Sequence, residues 1–426
     1  MDTNSHLQRA LPSSALDALR VVGSVARDGG CVAYLVGGPL RDALLQRPIV
    51  DVDVSVEGDA IALAERIAAR HDAVVDKTHE AFGTATVTFA DGHAVDLATA
   101  RAETYAEPAA LPTVSPSSIG EDLLRRDFTI NAMAAPIEGE GFGSLVDPCG
   151  GVADLDARRI RILHPGSFRD DPTRIFRACR FARRFAFTLD ESTSIATRET
   201  VDGGHVTGLT GARARNEITA VLREAEATAT LADLHEHGAL QALATPFPFE
   251  ADARDLVTRA DALVPASEAD RPRALLLAWF DALRVDWRPI ARWLMAPAEV
   301  ARDLDAISDV GEATGGRDPV TLRPSEWHPL LADVSADILP TVGARLGAEA
   351  HTRIAKLYRE FADLRPLITG DDLRALGYEP GPRYSDVLQA ALNAQLDGSL
   401  TDRDAALAFA QSRMRKLGGD LVPENA

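Results

Sequence analysis

The sequence predicts an α+β protein: an N-terminal head with a small mixed, largely antiparallel sheet, followed by an all-α remainder. Three observations predict it. VDVDVSV (50–56) alternates strictly, the period of a half-buried strand. GTATVTF (83–89) and HAVDLAT (93–99) flank Ala90-Asp91-Gly92 and read as a hairpin. Beyond about residue 160 strand signals stop, and helical spacing runs on between Pro- and Gly-bearing breaks near 202–211, 245–250, 264–271, 314–325 and 364–385.

The elements follow in order. SSALDALRVVGSVARD (13–28) has helical periodicity behind serine caps. CVAYLV (31–36) is an apolar strand ending at Gly37-Gly38, and PLRDALLQR (39–47) opens a helix with Pro in its first turn. DAIALAERIAARH (59–71) is a helix. The Pro- and Ser-rich segment 102–124 reads as a mobile loop. RRDFTINAM (125–133) sets two arginines beside a strand-like apolar run, and 168–187 reads as one continuous helix. Pro380-Gly381-Pro382 stops one helix and starts another over 385–396. Trp279, Trp287 and Trp293 fall in a helical region and are expected in a core.

A chain of 426 residues, 46% of them hydrophobic, is long for one domain and can bury several cores. The net charge of −19 argues against a polyanionic partner until its distribution is considered. Only Lys77, Lys356 and Lys416 are lysines among 45 basic residues. Between residues 161 and 185 seven arginines stand against two aspartates, a local basic stretch in an acidic chain. Cys31, Cys149 and Cys179 are scattered, which suggests neither a disulfide framework nor zinc. The N-terminus carries no signal pattern and no apolar run approaches the ~20 residues of a membrane span, so a soluble, cytoplasmic protein is expected.

Strand period places Asp51, Asp53 and Ser55 on one face and Val50, Val52, Val54 and Val56 on the other. Two carboxylates about 7 Å apart on one face are costly unless neutralised. A hard divalent cation answers that need, and a two-metal clamp serves phosphoryl transfer. Asp96 is the natural third carboxylate if its strand lies beside 50–56. The Gly37-Gly38 turn leads into a helix whose first N–H groups can cradle a triphosphate. A D-x-D alone is more often a solvated surface pair; the preceding Gly-Gly and helix set this one apart. In 168–187, Asp170, Arg174, Arg177 and Phe181 share a side with Asp171 one step away. Arginine donors and aspartate acceptors suit base edges, whereas the plainer reading is an amphipathic helix with solvated arginines.

With these motifs in order, the chain resembles the class II tRNA nucleotidyltransferases, a family that includes bacterial poly(A) polymerases. The signature G-G-x-x-R-D…D-x-D is met by Gly37, Gly38, Arg41, Asp42, Asp51 and Asp53. VDLATARAETY resembles the strand of the third carboxylate, Asp96, followed by Arg101 and Glu103. RRDFTINAM resembles the ribose- and phosphate-contacting motif, with Arg126, Asp127 and Asn131. DPCGGVADL (147–155) resembles the turn joining head to neck, and LITGDDLRALGYEPGP (367–382) the tail of many bacterial members. FRDDPTRIFRACRFARRFAF resembles the nucleotide-selecting helix.

That resemblance, which covers nearly the whole chain, implies addition of C and A from CTP and ATP to the 3′ end of tRNA, with release of pyrophosphate. It implies two Mg²⁺ ions on Asp51, Asp53 and Asp96. Gly37, Gly38, Arg41, Arg126, Asp127 and Asn131 would hold the nucleotide; Asp171 and Arg174 would choose the base, with Asp170 and Arg177 beside them. Arg101, Arg180 and Arg213 are further candidates. The implied organisation is a head (1–157), a helical neck (158–225), a body (226–330) and a tRNA-binding tail (331–426), as monomer or homodimer. The sequence departs from the family at Val50, where Lys is frequent, at Asp170 in place of Glu, and at Ala212 in LTGARARNEI, where Arg213 and Glu217 remain. No H…H-D pattern follows the body, so no phosphohydrolase domain is expected. Partial enzymes adding only CC or only A, and a poly(A) polymerase, share these motifs. A catalytically inactive RNA-binding homologue and a transferase acting on a protein or small molecule are the readings from other classes.

Overall fold

The computed structural model describes residues 3–49, 51–264 and 271–417. It divides into two compact units, Met1–Pro248 and Phe249–Ala426.

The first unit is built on a seven-stranded sheet. Its strands are β1 (Val32–Val36), β2 (Asp53–Glu57), β3 (Ala73–His79), β4 (Thr84–Phe89), β5 (Ala94–Thr99), β8 (Ala134–Glu138) and β9 (Gly141–Phe142). They lie in the order β3-β4-β5-β2-β1-β8-β9. Only the β2–β5 pairing is parallel, so the sheet is mixed and largely antiparallel as the alternation predicts. Helices α1 (Thr3–Ala10), α2 (Ser13–Asp28), α3 (Gly38–Leu44) and α4 (Ala60–Arg70) accompany it. α2 packs on β1 and β8, and α4 packs on β3, β4 and β5. The core between them takes Leu19 and Val22 from α2, Leu63 and Ile67 from α4, and Val54 and Val56 from β2, all at most 1% exposed. Burying each such side chain contributes about 1.5–3 kcal/mol.

Three sequence expectations change here. The strand expected over 50–56 begins only at Asp53, so Asp51 lies in the approach to β2, and Val50 lies outside the described residues. The segment 102–124 is not a structureless loop. A separate hairpin of β6 (Arg101–Thr104) and β7 (Thr113–Pro116) precedes helix α5 (Ile119–Leu124), which Ser118 caps by accepting from the Glu121 N–H. The continuous helix over 168–187 is broken. After α6 (Gly151–Asp156), α7 (Ser167–Asp170) ends at Asp171, and α8 (Thr173–Phe185) starts beyond Pro172. Proline disfavours the helical region for the residue before it, and Asp171 is extended at φ −137°, ψ 94°.

The strand pair β10 (Arg159–Ile160) and β11 (Thr188–Leu189) brackets this break. α9 (Glu191–Asp202), α10 (Gly211–Leu222) and α11 (Ala227–Glu236) complete the unit. α11 packs on α8 and α10, which is why residues 226–248 group with the first unit rather than with the expected body.

In the second unit every described regular element is α-helical or 3₁₀, the longest being Ala298–Thr314. Trp279 and Trp327 are fully buried in it, while Trp287 and Trp293 are half-buried. Ile368, Leu373, Tyr378, Val387, Ala406 and Met414 belong to a separate small core under the segment 367–382 and the helix Pro382–Leu396. The break expected over 264–271 falls mostly outside the described residues.

Candidate active site

The carboxylates come first. Parallel register sets Asp53 of β2 directly beside Asp96 of β5, which is the condition the sequence left open. Asp96 Oδ1 accepts from Thr86 Oγ1 at 2.6 Å. Asp53 is solvent-facing yet crowded. Its carboxyl is pushed above the ordinary range by partial burial, and by the charges of Asp96 and Asp51, against the opposing pull of Arg126 and Arg41. Among the described residues no three His, Cys, Asp or Glu side chains converge into a closed metal cluster. Asp51 precedes the strand and Asp96 is turned to Thr86, so the expected three-ligand set is open here. The donors still fit a hard divalent cation: they are carboxylate oxygens, one of them short of positive charge, and Mg²⁺ draws much of its shell from water and phosphate.

Asp51 and Asp53 open onto a cleft of about 860 Å³. Gly37 turns β1 into α3 at φ 69°, a left-handed conformation suited to glycine. A Cβ there would meet the Arg126 guanidinium at 2.8 Å, so a larger residue would also displace that arginine. Arg126 is aimed by Asp122, which accepts from its Nη2 at 2.9 Å. Burial alone would raise the Asp122 carboxyl, but Arg126 and Arg125 outweigh it and hold it low.

A chain of polar contacts crosses the cleft floor. Arg41 donates through Nε and Nη2 to the two oxygens of Asp42, and through Nη1 to Asn131 Oδ1 at 2.7 Å. Asn131 Nδ2 donates to Asp127 Oδ1 at 2.9 Å, and Arg177 donates to Asp127 Oδ2 at 2.7 and 2.8 Å. Asp127 is 8% exposed; burial would raise its carboxyl, but Arg177 and Asn131 bring it down to about 2. Phe181 of α8 gathers the arginines, with the Arg41, Arg177, Arg180 and Arg184 guanidiniums 5.3–5.6 Å from its ring centre.

The Asp171-Pro172 break sets the far wall. Asp171 Oδ1 accepts from Thr173 N–H, Thr173 Oγ1 and Arg213 Nη2, leaving Oδ2 with no hydrogen bond among the described residues. Arg174 is buried; Nη1 donates to Ser167 Oγ and Nη2 to the Arg125 carbonyl, which leaves part of its five-donor fork unspent. Arg213 also donates to the carbonyl of Ala109, in the loop of the β6–β7 hairpin.

Three expected residues fall outside the cleft lining, Asp96 among them, in the neighbouring groove that also takes Asp53. Asp170, on the other side of the helix break, faces a separate small pocket with His164 and Tyr105. Arg101 lies outside the cleft, donating to the Phe82 carbonyl and stacking on the Phe82 ring. Residues given no role from the sequence also line the cleft. Glu103 is paired with Arg125, and the Tyr105 hydroxyl is pushed up to about 12 by burial and Glu103. Glu217, raised by burial, keeps Oε2 without a partner among the described residues. Glu217 and Glu103 were visible in the family pattern; Tyr105, just beyond β6, reaches the cleft through the hairpin.

Residues 33–161 match the family described as the poly A polymerase head domain. The chain is 34% identical over 435 residues to the A-adding tRNA nucleotidyltransferase of Geobacter sulfurreducens, spanning 95% of this chain but 48% of that protein. It is 32% identical over 419 residues to the A-adding tRNA nucleotidyltransferase of Halalkalibacterium halodurans, spanning 96% of this chain and 93% of that one. The Thermotoga maritima CCA-adding enzyme complexed with tRNA matches at TM-score 0.77 and 27% identity, over 96% of this chain and 98% of that chain. Solved complexes of CCA-adding enzyme with ATP and with CTP also match, each at 26% identity. Among the described residues no helix is long and apolar enough to cross a membrane. The carboxylate-bearing strands, the Gly37-Gly38 turn and the kinship with relatives across almost the whole chain lead to one conclusion: this chain belongs to the tRNA nucleotidyltransferase family.

Proposed function

We propose that the protein transfers nucleotides from nucleoside triphosphates to the 3′ end of tRNA without a template, and that the terminal A is among them. The observation that carries this is a single cleft joining Asp51, Asp53 and the Gly37-Gly38 turn to an unspent Asp171 oxygen and an incompletely used Arg174 fork. Adenine and cytosine both carry an exocyclic amine for a carboxylate to accept from, next to a ring nitrogen that an arginine can donate to. Uracil and guanine present the opposite pattern to such a pair. Addition of A is further supported by the two A-adding relatives. The wider reading, addition of C, C and A, is favoured by the likeness to CCA-adding enzymes over nearly all of both chains.

In the reaction, the tRNA 3′-hydroxyl oxygen bonds to the α-phosphorus. The bond from that phosphorus to the bridging oxygen breaks, pyrophosphate leaves, and the hydroxyl proton passes to solvent. Mg²⁺ held by Asp51, Asp53 and Asp96 with substrate oxygens would neutralise charge and lower the hydroxyl pKa. Arg126 and the Gly38 backbone hold the triphosphate, while Asn131, kept in place by Arg41 and Asp127, positions the ribose. Asp171 and Arg174 select the base. The test uses tRNA transcripts ending at the discriminator base, the first C or the second C, each with labelled CTP or ATP and products sized. Incorporation of A after the second C is expected. CTP incorporation at the earlier ends establishes the wider reading, its absence the A-only one. Long A tracts on any RNA, or no incorporation, would overturn the proposal.

A further inference from the structure

The open face of the sheet holds a second groove of about 440 Å³ that shares Asp53 and Arg126 with the nucleotide cleft. Register explains its lining. Lys77 pairs with Thr86, Thr86 with Asp96 and Asp96 with Asp53, a row across four strands on one face. Beside it runs the row His79, Thr84, Ala98 and Ser55. A β-bulge between Val75 and Lys77 creates this arrangement. Up to the bulge the even-numbered Val74 shares this face, opposite Thr88; beyond it the odd-numbered Lys77 and His79 do. Bulges re-aim side chains in this manner next to active sites.

We infer that Lys77 and His79, with Ser55, form a subsite for the sugar–phosphate backbone of the single-stranded 3′ end of the tRNA. Lys77 is then a positioning residue for the attacking strand, an assignment that rests on the proposed function. Lys77 is the one lysine in the first unit and is exposed. Among the described residues neither Lys77 nor His79 has a hydrogen-bond or ion-pair partner, in a chain where most arginines are paired. Ser55 is 1% exposed and lines the groove, and its Oγ has no partner among the described residues. Direction supports the occupant. Attacking and leaving oxygens lie roughly in line at the transferred phosphorus. If the triphosphate fills the cleft with Arg126, Asp171 and Arg174, the hydroxyl must arrive across Asp53 from the other side. This groove opens there.

The test is fluorescence anisotropy of an RNA minihelix with a 3′ single-stranded end, measured across salt concentrations, beside steady-state incorporation. For Lys77→Ala we expect RNA binding and the tRNA KM to weaken about 5-fold, with the ATP KM unchanged. The salt slope should fall by about one, and Lys77→Arg should restore both. His79→Ala should weaken RNA binding less and in the same sense. Unchanged RNA affinity and slope for Lys77→Ala would overturn the subsite. So would an equal rise in the ATP KM, which would assign Lys77 to the triphosphate. If wild-type protein incorporates nothing, the proposed function falls, while anisotropy still decides whether this groove binds RNA.

Discussion

Replacing Asp127 with Asn tests the polar chain that crosses the cleft floor. The carboxylate accepts four hydrogen bonds: from the Phe128 N–H at 2.8 Å, Asn131 at 2.9 Å, and Arg177 Nε and Nη2 at 2.8 and 2.7 Å. An amide keeps one acceptor and loses the charge, so at least one of these donors faces an N–H₂ group. The folded carboxyl sits at about 2 against an ordinary 3.8. At about 1.4 kcal/mol per unit this is worth roughly 2 kcal/mol. Arg177, about a third exposed at its side chain, recovers some solvation, so the total loss is about 2–4 kcal/mol rather than the 3–5 of a fully buried pair. For a unit of this size that lowers Tm by roughly 5–15 °C. The sign with pH follows. The depressed pKa gives stability that is present above the ordinary carboxylate range and lost as pH falls toward 2. The gap between wild type and Asp127→Asn should therefore shrink by roughly half near pH 3. The assay is thermal unfolding of both proteins from neutral to acid pH, with ATP incorporation alongside. Equal melting temperatures at neutral pH, or a gap that does not change with acidification, would refute the reasoning.

Asp53→Asn should abolish incorporation, leave tRNA affinity within about 2-fold and raise Tm, because a carboxyl pushed up by burial and acidic neighbours opposes folding at neutral pH; retained turnover would remove the metal assignment. Chelation of divalent cations should stop the reaction and added Mg²⁺ restore it, so undiminished activity in chelator would exclude the proposed chemistry. Asp171→Ala should relax nucleotide choice, read as UTP or GTP incorporation rising relative to ATP by about 10-fold or more, each lost base contact being worth about 1–3 kcal/mol; unchanged selectivity would refute the base-reading role. Arg213→Ala frees both Asp171 and the Ala109 carbonyl, so the ATP KM should rise by about 10-fold, from loss of one charged hydrogen bond, while tRNA affinity holds.

Much of this was legible in residues. Alternation in 50–56 and in 83–99 gave the strands, and Asp96 needed only the register of β2 and β5 to stand beside Asp53. What periodicity missed has physical causes. The residues 168–187 keep helical spacing throughout, but spacing does not register that Pro172 forces Asp171 out of the helix. That break separates Asp170 from Asp171, so an adjacent pair expected to act together faces two pockets. The hairpin of β6 and β7 has four residues per strand and no long alternation, so composition alone read it as loop. The bulge that turns Lys77 and His79 onto the catalytic face changes parity within one strand, which no sequence period displays.

The acidity of the chain is resolved by the same geometry. A net charge of −19 would repel a polyanion if it were spread evenly. Around the cleft, however, carboxylates are the partners that fix guanidiniums in place: Asp42 for Arg41, Asp122 for Arg126, Asp127 for Arg177, Glu224 for Arg184 and Asp171 for Arg213. An arginine aimed by a carboxylate loses less freedom on meeting a phosphate or base, and its planar fork keeps unspent donors for it. Each such pair is close to neutral, so it gives little long-range steering but a stiff array of donors at short range. Lys77 and His79 differ: among the described residues they are basic groups without acidic partners, on the face where a flexible RNA end would arrive. The division follows from what each substrate demands: a small nucleotide read by geometry needs fixed donors, and a mobile strand needs free charge.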